Sequence, residues 1–93
     1  MHFIVRFDPV PGCASEFRDA LRRVVEATRT EPGCLRIDAF ESASAQFAIH
    51  SEWRDEAAFE LHATMPHTLE FLAAAGRLLS HPVAGLRLKR IDP

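Results

Sequence analysis

The chain has little of what marks the more specialised protein classes. Its two cysteines, Cys13 and Cys34, are too few for a disulfide framework and stand in no metal-ligand spacing, so reduced thiols in a reducing compartment are expected. Charge of one sign is not in excess. Eleven Lys and Arg against 13 Asp and Glu leave a formal charge of -2, which provides no electrostatic footprint for nucleic acid or for an anionic membrane. Long apolar runs are missing too. The longest, Phe71 to Ala75, is five residues where a spanning helix needs about 20, and Met1 to Asp8 lacks the basic and apolar regions of a signal peptide. The expectation is a cytoplasmic protein with neither nucleic-acid nor membrane partners. Nor is there a Gly-rich phosphate loop, a Ser nucleophile motif or a Cys-His pair at catalytic spacing.

What remains is a chain of 93 residues, 47% apolar and 26% charged, the balance of one globular domain spanning residues 1–93. A monomer of this size buries only about 60–65% of the surface its unfolded chain exposes, so its core is marginal and a second subunit would help.

Periodicity divides the domain into elements. His2 to Asp8 alternates, with Phe3, Val5 and Phe7 on one face, which predicts a half-buried strand ended by Pro9, Pro11 and Gly12. From Ser15, a suitable N-cap, Phe17, Leu21, Val24 and Thr28 recur at helical spacing opposite a charged face. Glu31-Pro32-Gly33 breaks that helix, with Gly33 free to take a positive φ. Two alternating runs follow, Leu35 to Phe40 and Phe47 to Trp53, and read as a hairpin. Charge pairing sets its register: Arg36 opposite Glu52 also sets Asp38 opposite His50 and leaves Ala43 to Ala45 as a three-residue loop. Asp55 caps a short helix to about Ala63. Pro66 separates it from a second, nearly all-apolar segment from about His67 to Leu79, and Val83 to Ile91 supplies a last strand.

The order strand, helix, strand, strand, broken helix, strand folds most compactly as a four-stranded antiparallel sheet with the helices on one face, a ferredoxin-like α+β arrangement. The opposite face carries Ile4 and Phe40 among polar residues and is a candidate for face-to-face homodimerisation.

The element order, the turn Glu31-Pro32-Gly33-Cys34, the strand end Glu52-Trp53 with Asp55-Glu56-Ala57-Ala58-Phe59, and His62 with Pro66-His67 resemble the antibiotic biosynthesis monooxygenase superfamily of dimeric α+β barrels. The resemblance implies an apolar cavity between helices and sheet, and an activity among cofactor-free oxygenation of anthrones and quinols, haem degradation and isomerisation of a small metabolite. Two departures stand out. The chain contains no Asn and no Tyr, so Phe59 occupies the position of the tyrosine of the polyketide-type oxygenases, and Ile49 or a neighbour that of their asparagine.

On that reading the expected function is a cofactor-independent monooxygenase acting on a small planar phenol, quinol or anthrone. His62 is the proton acceptor, because an imidazole can take a phenolic proton near neutral pH and the resulting anion can reduce dioxygen itself. Trp53, Phe59, Met65, His67 and Phe71 are the expected substrate contacts, with Trp53 and Phe59 equally suited to core filling. No cofactor and no metal are expected. His62 and His67 are five positions apart, about 140° on a regular helix, a spacing that is not the i, i+4 zinc pattern and is supported by no nearby Cys or carboxylate cluster. The alternative is a non-catalytic dimeric module that binds a small hydrophobic ligand or scaffolds a partner, or an isomerase of a small metabolite.

Overall fold

The computed structural model describes residues 1–93. Strand β1 (His2–Phe7) leads to helix α1 (Ala14–Thr28), strands β2 (Cys34–Glu41) and β3 (Phe47–Trp53), helices α2 (Glu56–His62) and α3 (Pro66–Leu78), and strand β4 (Ala84–Leu88). The four strands form one antiparallel sheet in the order β2-β3-β1-β4, the ferredoxin-like α+β fold.

The alternation in β1 sends Val5 and Phe7 into a core shared with Phe17, Leu21, Val24 and Val25 of α1, Ile37, Phe47 and Ile49 of the hairpin, and Phe71, Ala75 and Leu78 of α3. A second, smaller cluster of Trp53, Ala58 and Phe59 lies beneath α2. The opposite sheet face is uncovered and leaves Ile4, Phe40, Leu86 and Leu88 exposed. No helix is long and apolar enough to cross a membrane.

The hairpin has the expected register, with Arg36 opposite Glu52 and Asp38 opposite His50. Ser42 N–H donates to the Gln46 carbonyl at 2.8 Å, so Ala43 to Ala45 form the three-residue loop, closed by Ala45 in the left-handed region at φ 61°. The ion pairs expected to enforce that register do not form. Arg36 Nε donates to Asp38 Oδ2 of its own strand at 2.6 Å, and the His50 ring instead meets the His2 ring across β1, Nδ1 to Nε2, at 3.0 Å. Register is therefore held by the buried alternation of Phe47, Ile49, Ser51 and Trp53.

Three boundaries differ from the sequence expectation. Helix α1 begins at Ala14, so Ser15 lies inside it, and the N-cap is Cys13 without a side-chain hydrogen bond. Strand β4 stops at Leu88, which pairs with His2, the first residue of β1. Gly33 takes no positive φ; it is required because a Cβ there would overlap that of Ala58. Its bare backbone lets the turn after α1 press directly against α2, and this contact positions the site.

Candidate functional site

Three segments meet at one end of the inner layer: the turn at Glu31, helix α2 and the start of α3. Asp55 fixes α2 by accepting the Ala58 N–H at 2.8 Å, and that hydrogen bond holds its carboxyl below the usual range. Arg87 of β4 reaches Glu56 at 3.0 Å and Glu60 at 2.7 Å while lying 4.9 Å over the Phe59 ring, which ties the helix to the sheet edge. Met65 is extended, as the residue before a proline must be, and Pro66 starts α3 in a new direction.

That change of direction brings the two histidines together. His62 Nδ1 and His67 Nε2 each lie 2.7 Å from the same oxygen, Oε2 of Glu31. The divergence expected for a regular helix is thus overturned by the break at Pro66, and the missing carboxylate comes from the turn 31 positions upstream of His62. The Glu31 side chain is 7% exposed, and its ion-pair partners are these two imidazoles, with neither Lys nor Arg among them. Because an ionised carboxylate only accepts, both facing ring nitrogens carry the proton. Thr68 Oγ1 lies a further 3.3 Å from His62 Nδ1. His62 Nε2 has no protein partner.

His62 lines an interior cavity of about 170 Å³ together with Phe3, Phe59, Phe71, Thr28, Ser51 and Thr68. Its walls are mostly carbon, and the polar groups on them are specific. Ser51 Oγ accepts the Trp53 indole N–H at 3.0 Å, which leaves its own proton to donate. Thr28 is fully buried, and its hydroxyl is the buried side-chain polar atom without a hydrogen-bond partner. An orphan of that kind at a cavity wall suits a ligand bearing a polar atom.

The residues named from sequence fall into two groups. His62, Phe59 and Phe71 line the cavity. Trp53, only 1% exposed, stands behind it, its ring 4.6 Å from that of His62 and 5.8 Å from that of Phe59. His67 lines a separate outer groove between α1 and α3 with Arg23 and Arg77, and Met65 serves as the N-cap of α3. Glu31, Thr28, Ser51 and Thr68 were not singled out as site residues from the sequence. Glu31 reads there as part of a turn and Thr28 as the last member of a helical stripe, and no local spacing ties either to His62. Cys34, next to the turn, has its thiol pushed up by burial and then by the Glu31 charge. Both cysteines are free.

Known proteins share this fold. The family model described as antibiotic biosynthesis monooxygenase matches residues 1–74. A Mycobacterium tuberculosis protein bearing the name "Putative monooxygenase Rv0793" is 36% identical over 90 residues, covering 96% of this chain and 89% of that protein. The solved structure of Rv0793 superposes with a TM-score of 0.92 over 99% of this chain and 95% of its own, at 34% identity. PA3566 from Pseudomonas aeruginosa gives a TM-score of 0.90 at 32% identity, covering 98% of this chain and 93% of its own. On its sequence and its fold together, this chain belongs to the antibiotic biosynthesis monooxygenase family.

Proposed function

We propose that the chain is a cofactor-independent monooxygenase of small, electron-rich phenols, with His62 as proton acceptor. The observation that carries this reading is the 2.7 Å contact between Glu31 and His62 Nδ1. By holding the proton on Nδ1, the carboxylate fixes the tautomer and leaves Nε2 a free acceptor on a residue that lines the cavity. Glu31 is a positioning residue in this scheme, because it acts through His62.

The cavity volume narrows the substrate. An engineered protein cavity of about 150 Å³ holds one benzene ring, so the roughly 170 Å³ found here suits a single-ring phenol with a hydrogen on its para carbon better than a three-ring anthrone. The phenolic proton passes to His62 Nε2. The phenolate gives one electron to dioxygen, the resulting radical pair combines at the para carbon, and the peroxide takes back the proton from His62 to become a hydroperoxide. Loss of water then leaves a quinone, so one oxygen atom of dioxygen ends in the product and the other in water. The substrate supplies every electron. Ser51 and Thr28 are hydroxyl-bearing residues of the cavity lining, and in this reading they hydrogen-bond the ring oxygens.

Oxygen uptake with a panel of one-, two- and three-ring phenols, corrected for autoxidation, tests the reading. Activity falls with ring count, and His62→Ala lowers turnover about 10²- to 10⁴-fold, the usual range for losing a general base. If wild type and His62→Ala both match the protein-free control, the non-catalytic ligand-binding module replaces this reading, as Phe59 in place of a tyrosine would favour.

We also propose that two copies pair through the uncovered sheet face. Ile4, Phe40, Leu86 and Leu88 give that face an apolar centre, while Arg36, Asp38 and Glu52 beside it provide charges of both signs for a two-fold contact. Light scattering at micromolar concentration should give twice the chain mass. A monodisperse monomer would overturn the pairing.

A further inference from the structure

We propose that Glu31, His62 and His67 form a divalent-cation site, suited to zinc, whose occupation switches off the base in the cavity. The donor set is two imidazole nitrogens and one carboxylate oxygen, the three-ligand complement that zinc takes when a fourth position stays open. The three ligating atoms lie within 4.8 Å of one another. A tetrahedral ion with bonds of about 2.0–2.1 Å holds its ligand atoms about 3.3 Å apart, so binding requires the two 2.7 Å contacts to Oε2 to open by some tenths of an ångström and the two imidazole nitrogens, which lie within 4.8 Å of each other, to close on the ion by rotation of the histidine side chains.

Charge supplies a second, independent argument. Buried carboxylates are normally paired with a cation, yet Glu31 is held only by two imidazoles, which in their neutral form give hydrogen bonds and no charge. A divalent ion supplies that missing charge. The ligands also come from three segments, the turn after α1, helix α2 and the start of α3, so binding would tie all three to one ion.

The consequence follows from imidazole chemistry and rests on the function proposed above; the binding itself does not. Coordination at Nδ1 requires that nitrogen to be unprotonated, so in a neutral ring the proton moves to Nε2. The free nitrogen of this cavity-lining residue then donates instead of accepting, and it no longer takes a proton from a phenol. His67 undergoes the matching change, with coordination at Nε2 and the proton on Nδ1.

The test is calorimetric titration of zinc chloride into the whole chelator-treated protein at neutral pH, with a thermal melt alongside. The expected result is one ion per chain, a rise in melting temperature, and affinity lowered at least about tenfold in Glu31→Gln and in His67→Gln. Two controls remove other zinc donors: the double variant Cys13→Ser with Cys34→Ser, and His50→Gln, which breaks up the exposed His2–His50 pair. Both should bind as wild type does. Absence of saturable binding up to about 100 μM, or binding unchanged by His67→Gln and abolished by a control, overturns the site. The outcomes separate the two proposals. Zinc bound by a protein that oxidises no phenol sustains the site and removes the function, phenol oxidation by a protein that binds no zinc sustains the function and removes the site, and oxidation unchanged in the zinc-loaded protein removes the switch.

Discussion

The two ends of the inner layer use the same side chains to different effect. At one end Phe7, Phe17, Phe47 and Phe71 pack ring against ring at 5.2–5.8 Å, with Phe7 and Phe71 also forming part of the cavity wall and no buried polar side chain among them. At the other end Trp53, Phe59 and His62 are just as close, at 4.6–6.0 Å, but Ser51, Thr28, Thr68 and Glu31 are interleaved with them and the space is hollow. Aromatic density does not distinguish a core from a site here. What distinguishes them is the state of the buried polar atoms: absent at the first end, partly satisfied and aligned on a void at the second.

The comparison is broken or sharpened most forcefully by truncating one ring at each end. Phe17 is fully buried between Phe7, Phe47 and Phe71, so Phe17→Ala leaves a dry void and should cost about 4–5 kcal/mol. Phe59 keeps some exposure and already borders the cavity, so it has fewer contacts to lose, and Phe59→Ala should cost about 3 kcal/mol or less. Urea denaturation of the two variants reads the difference directly. Equal costs would mean that the second end is as tightly packed as the first, and the case for a ligand cavity would fall with it.

The packed end was legible in the sequence because each element declares its own inward face. Phe3, Val5 and Phe7 alternate, Phe17, Leu21, Val24 and Thr28 recur at helical spacing, and the hairpin alternation shows which residues share a face, while the register itself was argued from charges and agrees with the one observed. The charges used to argue that register point elsewhere in the fold. Surface side chains are long enough to choose among partners, and Arg36 takes the nearer Asp38. The hollow end was legible only in part. His62 and Phe59 share one short helix, so their common side follows from their spacing, but Glu31 joins them across 31 positions through a turn whose approach depends on the missing side chain of Gly33. His67 was misread because a helical angle was applied across Pro66, where the helix restarts. Sequence periodicity speaks within an element, and this site is made between three of them.

A smaller effect, opposite in sign, probes the hollow end alone. Thr28 is wholly buried on α1 with its hydroxyl unpartnered, and a buried group in that state costs roughly 1–3 kcal/mol in lost hydration. Valine has nearly the same shape and no hydroxyl. Thr28→Val should therefore raise the unfolding free energy by about 1 kcal/mol, where most core substitutions lower it. The same change should cost ligand recognition. Phenol and toluene differ little in size, so a wild-type preference for phenol that shrinks in Thr28→Val would show the hydroxyl acting on a ring oxygen. The two readings constrain each other. A destabilised variant would mean that the hydroxyl has a partner in the folded protein, and the cavity would then have one fewer polar group with which to select a phenol. A stabilised variant that also loses the preference would show that the chain keeps an unfavourable buried hydroxyl at this end for the sake of what binds there.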